Sequence, residues 1–213
     1  MTEPSREAHG LPLARDLAWQ LLVQADLASV ADAAGAALDR SGGRLCLPYL
    51  RLSVEIVPEA RGIAAQPETL TLMEEVLILR YLTLCRGTPP SGRWLSFRDL
   101  PGGMQYFGPF FGRTGRPLAA RFGADLEAFE RVASYLGGEP LAFGDRSFLF
   151  RLLPKFWLGL VLHGGDEEFA AEASILFDST LREQYTTEDC AAAAQVLVRR
   201  LLEAVPQPPN SQH

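Results

Sequence analysis

The sequence predicts an α+β fold, a mostly antiparallel sheet with helices packed on it in a single domain. Residues 51–57 (RLSVEIV) alternate Leu52, Val54 and Ile56 against Arg51, Ser53 and Glu55, the two-residue period of a half-buried strand. Residues 68–85 carry Leu70, Met73, Leu77, Tyr81 and Leu84 at helical spacing, and Leu72, Val76 and Leu79 widen the stripe. A helix that apolar is covered on more than one side. The stretch Ser147–Leu162 is the densest apolar run and breaks at Pro154. It reads as two strands, followed by an acidic turn, a third strand at Ser174–Phe177 and a closing helix.

The remaining elements follow from their punctuation. Residues 1–12 are polar, hold Pro and Gly, and read as a flexible arm; the domain proper spans 13–205, and 206–213 form a disordered tail. Leu13–Gln24 is helical, and Asp26 caps a short second helix, Leu27–Ala34, ended by Gly35. An antiparallel meander runs from 36 to 57, with Pro48 near an edge or bulge. Gly87 and the Pro89-Pro90 pair stop the long helix. Trp94–Ser96 is a short strand, and Met104–Arg121 a helix bent around Gly108-Pro109. A clean helix follows over Leu126–Leu136. Leu141–Phe143 reads as a strand, and Thr186 or Thr187 caps the last helix, which ends near Ala204.

Composition narrows the function classes. With 47% hydrophobic residues in 213, the chain has material for a full core. A net charge of −6 argues against a general nucleic-acid binder. No apolar run reaches the roughly 18 residues of a membrane span, and the N-terminus has no apolar leader core. The cysteines Cys46, Cys85 and Cys190 are scattered, as reduced thiols of a cytoplasmic protein are. There is no G-x-S-x-G elbow, and His9 and His213 sit in the ends, so histidine chemistry rests on His163.

The segments WLSFRDLPGG (Trp94–Gly103), FGADLEAF (Phe122–Phe129), LGG (Leu136–Gly138), DEEF (Asp166–Phe169), ILFD (Ile175–Asp178) and TED (Thr187–Asp189) occur in an order and spacing that resembles the bacterial and archaeal domain-of-unknown-function family 3786. The resemblance covers residues 14–205. It implies no established activity, because the family has none, and only a suggested context in anaerobic one-carbon and corrinoid metabolism. Many members carry an added cysteine-rich segment similar to an iron–sulfur binder; the cysteines here match no such spacing. The cofactor is therefore unknown.

Two sets of residues carry candidate chemistry. Met104, Tyr106, Phe107 and Phe110 with Arg113, together with Trp94, Phe97, Arg98 and Trp157, combine flat apolar surface with guanidinium anchors. That is the composition of a pocket for a small planar or anionic ligand, tetrapyrrole- or corrinoid-like, or else of an ordinary core or dimer face. His163, Asp166, Glu168 and Asp178 are the weaker set. They fit a divalent-cation site or an acid–base pair, or else a solvated turn and helical cap. The favoured reading is a binding or accessory module. The alternatives are a metal-assisted enzyme using the acidic turn and an adaptor that docks a protein partner or forms a homodimer.

Overall fold

In the computed structural model the strands fall into two antiparallel sheets; residues 6–204 are described, with side chains from Gly10. The first sheet is a meander of β1 (Ala37–Asp39), β2 (Arg44–Tyr49), β3 (Leu52–Val57) and β4 (Gly62–Gln66). The second comprises β5 (Trp94–Ser96), β6 (Glu139–Pro140), β7 (Arg146–Leu153), β8 (Phe156–His163) and β9 (Glu172–Asp178), in the order β5-β9-β8-β7-β6. The α+β class and the antiparallel pairing hold. The expectation that the meander and the later strands share one sheet does not: each sheet pairs only within itself. The two meet at the β2–β3 turn, where the Leu50 N–H donates to the Leu152 carbonyl at 3.1 Å.

Leu52, Val54 and Ile56 are buried while Ser53 and Glu55 face solvent, as the alternation requires. Pro48 pairs with Ser53 beyond Ala37↔Cys46, where β1 has ended; its missing N–H costs no ladder bond on that side. Strand β4 is unexpected, because Gly-Ile-Ala-Ala-Gln shows no alternation. It forms by register, running from Val57↔Gly62 to Ser53↔Gln66. The expected strand at Leu141–Phe143 is replaced by β6, two residues earlier in the chain.

The helices are α1 (Arg6–Gln24), α2 (Leu27–Ala34), α3 (Leu72–Leu84), α4 (Gly103–Arg113), α5 (Gly115–Phe122), α6 (Leu126–Tyr135), α7 (Leu181–Gln184) and α8 (Thr187–Glu203). Residues 6–12 of the expected arm are therefore helical, with Pro12 inside α1; residues 1–5 and the tail 206–213 lie outside the described residues. Asp26 caps α2 through the Ser29 N–H, and Gly35 ends it in the left-handed region at φ 66°. The bend expected at Gly108-Pro109 falls instead at Thr114, between α4 and α5. There Gly115 lies against the Ala173 carbonyl and the Phe111 ring, so close that a Cβ would sit 2.5 Å from either. No helix among the described residues is long and apolar enough to cross a membrane.

Helices α3 and α8 form the centre. Val76, Leu77, Ile78 and Leu79 are consecutive buried residues, so α3 is covered on more than one side. Polar contacts lock the pair at both ends. At one end Glu74, fully buried, accepts from Tyr49 Oη of β2 at 2.9 Å, from Thr71 N at 2.8 Å and from Arg200 Nε at 2.6 Å, with Arg199 Nη2 at 3.2 Å. Arg200 also pairs with Glu68, which in turn pairs with Arg51. At the other end Arg80 grips Asp189 through Nε and Nη2. Burial alone would raise the Glu74 carboxyl, but hydrogen bonds from Arg200 and Thr71 hold it below the usual range. Asp189 is held low in the same way, against its burial, by Arg80 and Thr186.

These contacts set measurable stabilities. Glu74→Ala strands the Arg200 guanidinium and the Tyr49 hydroxyl in the interior and is expected to cost about 3–5 kcal/mol in denaturant unfolding. Because the folded carboxyls of Glu74 and Asp189 lie below their unfolded values, their contribution is present above about pH 4 and is lost as pH falls through the lower folded values. Glu74→Gln should flatten that acid limb of a thermal melting series. At Gly103 an added Cβ would fall 1.8 Å from the Phe97 carbonyl oxygen; Gly103→Ala is expected to destabilise by about 1–3 kcal/mol in the same assay.

Candidate functional site

The acidic set does not converge. His163 ends β8, half exposed, with Nδ1 3.9 Å from Asp145 Oδ2. Asp166 turns back on its own loop, accepting from the Glu168 and Phe169 N–H groups at 2.8 and 2.7 Å. Those two hydrogen bonds, that from Phe169 foremost, lower its carboxyl. Glu168 is exposed. Asp178 is elsewhere: His163 pairs with Glu172 at the start of β9, and Asp178 ends that strand, about 20 Å away at roughly 3.3 Å per residue. Among the described residues, no group of three or more His, Cys, Asp and Glu side chains is placed to hold a metal ion. The four candidates thus do not form one site.

Asp178 has a structural task instead. It is fully buried and accepts from Ser91 N at 3.1 Å, Gly92 N at 2.7 Å, and Thr180 N and Oγ1 at 3.0 and 2.7 Å. Burial pushes its carboxyl up, but these donors prevail and hold it low. It ties the loop entering β5 to the chain leaving β9.

The aromatic set divides into several environments. Phe97 and Phe110 stack in the core with centroids 3.8 Å apart and rings 3° from parallel, both tilted against Phe177 of β9 at 6.1 Å. Phe107 is half-buried, with the Arg98 guanidinium 3.8 Å above its ring. Met104 and Tyr106 are exposed. Trp94 is half-buried on β5, its ring reaching over Gly159 of β8. Trp157 donates to the Pro154 carbonyl at 3.1 Å and lies under Arg151. It lines a separate cleft of about 370 Å³ with Pro48, Leu50, Leu136 and Leu153. The expected wall joining Phe107, Phe110 and Trp157 is absent because α4 turns Phe110 inward and β8 carries Trp157 to a different surface.

Two members of the set, Tyr106 and Arg113, do meet at a cavity. Seven residues apart on α4, they share one helical stripe. They face a cleft of about 730 Å³ walled by α1, α3, α4 and the start of α8. Its floor is apolar: Leu11 and Ala14 of α1, Met73, Val76 and Leu77 of α3, and Ala191 and Ala192 of α8. Its polar groups are Arg80, Arg113, Tyr106, Thr187, Glu188, Asp189 and Gln195. Asp189 is saturated by Arg80 and by the Thr186 cap at 2.7 and 3.0 Å. Arg80 commits only Nε and one Nη2 hydrogen bond to that pair, its guanidinium is partly exposed, and the hydrogen-bonded Asp189 carboxylate raises its already high pKa.

Arg80 and the alanines of α8 were not among the residues picked from sequence. The available signal was the T-x-x-D box at Thr186–Asp189, which marks a helix start, and the spacing of Arg80 on the stripe that contains Met73 and Leu77. Neither says that the two helices meet.

No curated protein and no solved structure matches this chain. One family model does, described as a domain of unknown function (DUF3786), over residues 26–200. That span holds α3, α4 and the α8 face of the cleft, while the α1 wall lies before it. By that match the chain belongs to the DUF3786 family.

Proposed function

We propose that this protein is a non-enzymatic binding or accessory module that holds a small amphipathic anion in the cleft between α1, α3, α4 and α8. The observation that carries this reading is an apolar floor of about 730 Å³ with the guanidinium of Arg80 set into its wall. Pockets for small ligands combine those features: apolar area for affinity and a few fixed polar groups for orientation. Arg80 is aimed by Asp189, and an oriented guanidinium recognises a carboxylate or phosphate in two-point fashion.

The ligand class is narrower than the residues alone suggested. Tyr106 is the one aromatic side chain lining the cleft among the described residues. The other walls are aliphatic and suit an extended or branched apolar body. A tetrapyrrole or corrinoid plane would look for the aromatic faces that Phe97 and Phe110 have committed to the core. The three free thiols, one of them buried, fit a reducing, cytoplasmic setting for this role.

Ala192 lines the cleft and is half-buried, so Ala192→Trp fills the space from α8 without entering the core. The probe is 1-anilinonaphthalene-8-sulfonate, an apolar body with one anionic group. The native protein is expected to enhance its fluorescence saturably, Ala192→Trp to lose most of that enhancement, and Arg80→Ala to weaken it about tenfold. Native mass spectrometry of the purified protein should show a mass excess that Ala192→Trp lacks. An apo mass together with equal dye binding by both proteins would sink the reading.

A further inference from the structure

Cys85 closes helix α3 and sits half-buried where α2 ends. The last carbonyls of α2 each take a side-chain donor from elsewhere in the fold. Asp32 accepts from Lys155 Nζ at 3.4 Å, Ala33 from Cys85 Sγ at 3.2 Å, and Ala34 from Tyr81 Oη at 2.6 Å. Tyr81 Oη also accepts from the Lys155 backbone N–H at 3.1 Å, so this hydroxyl both donates and accepts. None of these residues lines the cleft between α1, α3, α4 and α8.

Tyr185 is the exception in this cluster. It is only 7% exposed and packs against Tyr81 and Phe156, with ring centroids 6.3 and 4.9 Å away. Its buried hydroxyl oxygen has no hydrogen-bond partner among the described residues. What lies beside that oxygen is the Cys85 thiol: burial, and after it the thiol, pushes the phenol up. Native interiors seldom leave a buried donor unmet, and a sulfur is a weak acceptor. An oxygen carried on that sulfur is a strong one.

We infer that Cys85 is a site of reversible oxidation by peroxide, and that the Tyr185 hydroxyl holds the sulfenic acid formed there. The Cys85 sulfur attacks one peroxide oxygen, so that an S–O bond forms as the O–O bond breaks. Sulfur loses two electrons and the peroxide gains them; the thiol proton leaves with the second oxygen, as water when the oxidant is hydrogen peroxide. A small thiol reverses the step, leaving as its own disulfide with release of water. The C-terminal end of α3 gives no help to a thiolate, so the cluster acts on the product and not on the speed of attack. A hydrogen bond from Tyr185 draws electron density from the sulfenic group and slows its reaction with a second peroxide.

The chain carries its own comparisons. Cys46 on β2 is half-buried like Cys85, whereas Cys190 is fully buried, and burial pushes its thiol up to about 12. The test treats the full chain with hydrogen peroxide and then with dimedone, which captures sulfenic acids, and locates the label by peptide mass spectrometry. Label is expected at Cys85, well above Cys46, and none at Cys190; dithiothreitol added before dimedone should abolish it. Tyr185→Phe keeps the ring and removes only the hydroxyl. It is expected to cut the Cys85 label about tenfold in favour of sulfinic and sulfonic acid, with no loss of melting temperature, since that hydroxyl has no partner to lose. An unoxidised Cys85 overturns the proposal, as does label shared equally by Cys46 and Cys85. Equal Cys85 labelling in Tyr185→Phe removes the role of the hydroxyl and overturns it as well.

Discussion

A carboxylate with no exposure has to be satisfied where it lies, and Glu74 is satisfied by three separate parts of the chain: its own helix start at Thr71, the β2 hydroxyl of Tyr49, and Arg199 and Arg200 near the end of α8. Losing any of these leaves a desolvated group without compensation, which costs more than an apolar replacement would ever have gained. The network therefore specifies more than it stabilises. It forces the first sheet, the start of α3 and the end of α8 into one arrangement. The Arg80–Asp189 pair repeats the constraint at the opposite end, so α3 and α8 are pinned antiparallel at both termini.

The cleft is a consequence of that pinning. Met73, Val76, Leu77 and Arg80 occupy one stripe of α3, and Glu188, Ala191, Ala192 and Gln195 one stripe of α8. With the helix ends fixed, the small side chains of Ala191 and Ala192 cannot be compensated by closer approach of the helices. They leave volume where leucines would have filled it. One wall of the cavity is thus rigid by construction, and its guanidinium is held in place by a buried carboxylate. Pre-organisation of this kind reduces what a ligand must spend on ordering its host.

Much of the architecture was legible along the chain because it depends on local periodicity. The alternation Leu52, Val54, Ile56, the cap pair Asp26 and Gly35 around α2, and the hairpin at Pro154 all report on neighbours within a few residues. The cleft was not legible, since residues 10–14, 73–80, 101–113 and 187–195 come together only through α3 and α8. Helix α4 shows the same limit within one element. Its aromatic content suggested a single wall, yet Phe110 points to the core while Tyr106, four positions earlier, points to the cavity. Asp178 and His163 failed for a plainer reason: both end strands, but antiparallel pairing puts those ends on opposite sides of the sheet. The T-x-x-E box at Thr71–Glu74 was readable, and what it concealed was that its glutamate also serves β2 and α8.

Helix α1 stands in a different mechanical position from the pinned pair. Its inner face supplies Leu11 and Ala14 to the cleft, its outer face carries the exposed Leu13, Leu17 and Leu21, and Pro12 between them lacks the N–H that would bond the carbonyl four residues earlier. Its polar tie to α3 is the Arg15–Glu75 pair at 3.0 Å, in which Arg15 is 41% exposed, and such pairs contribute little. The wall of the cleft most free to adjust is therefore α1. The strong hydrogen bonds of Glu74 and Asp189 run between α3, α8 and the first sheet, and they leave this freedom to α1.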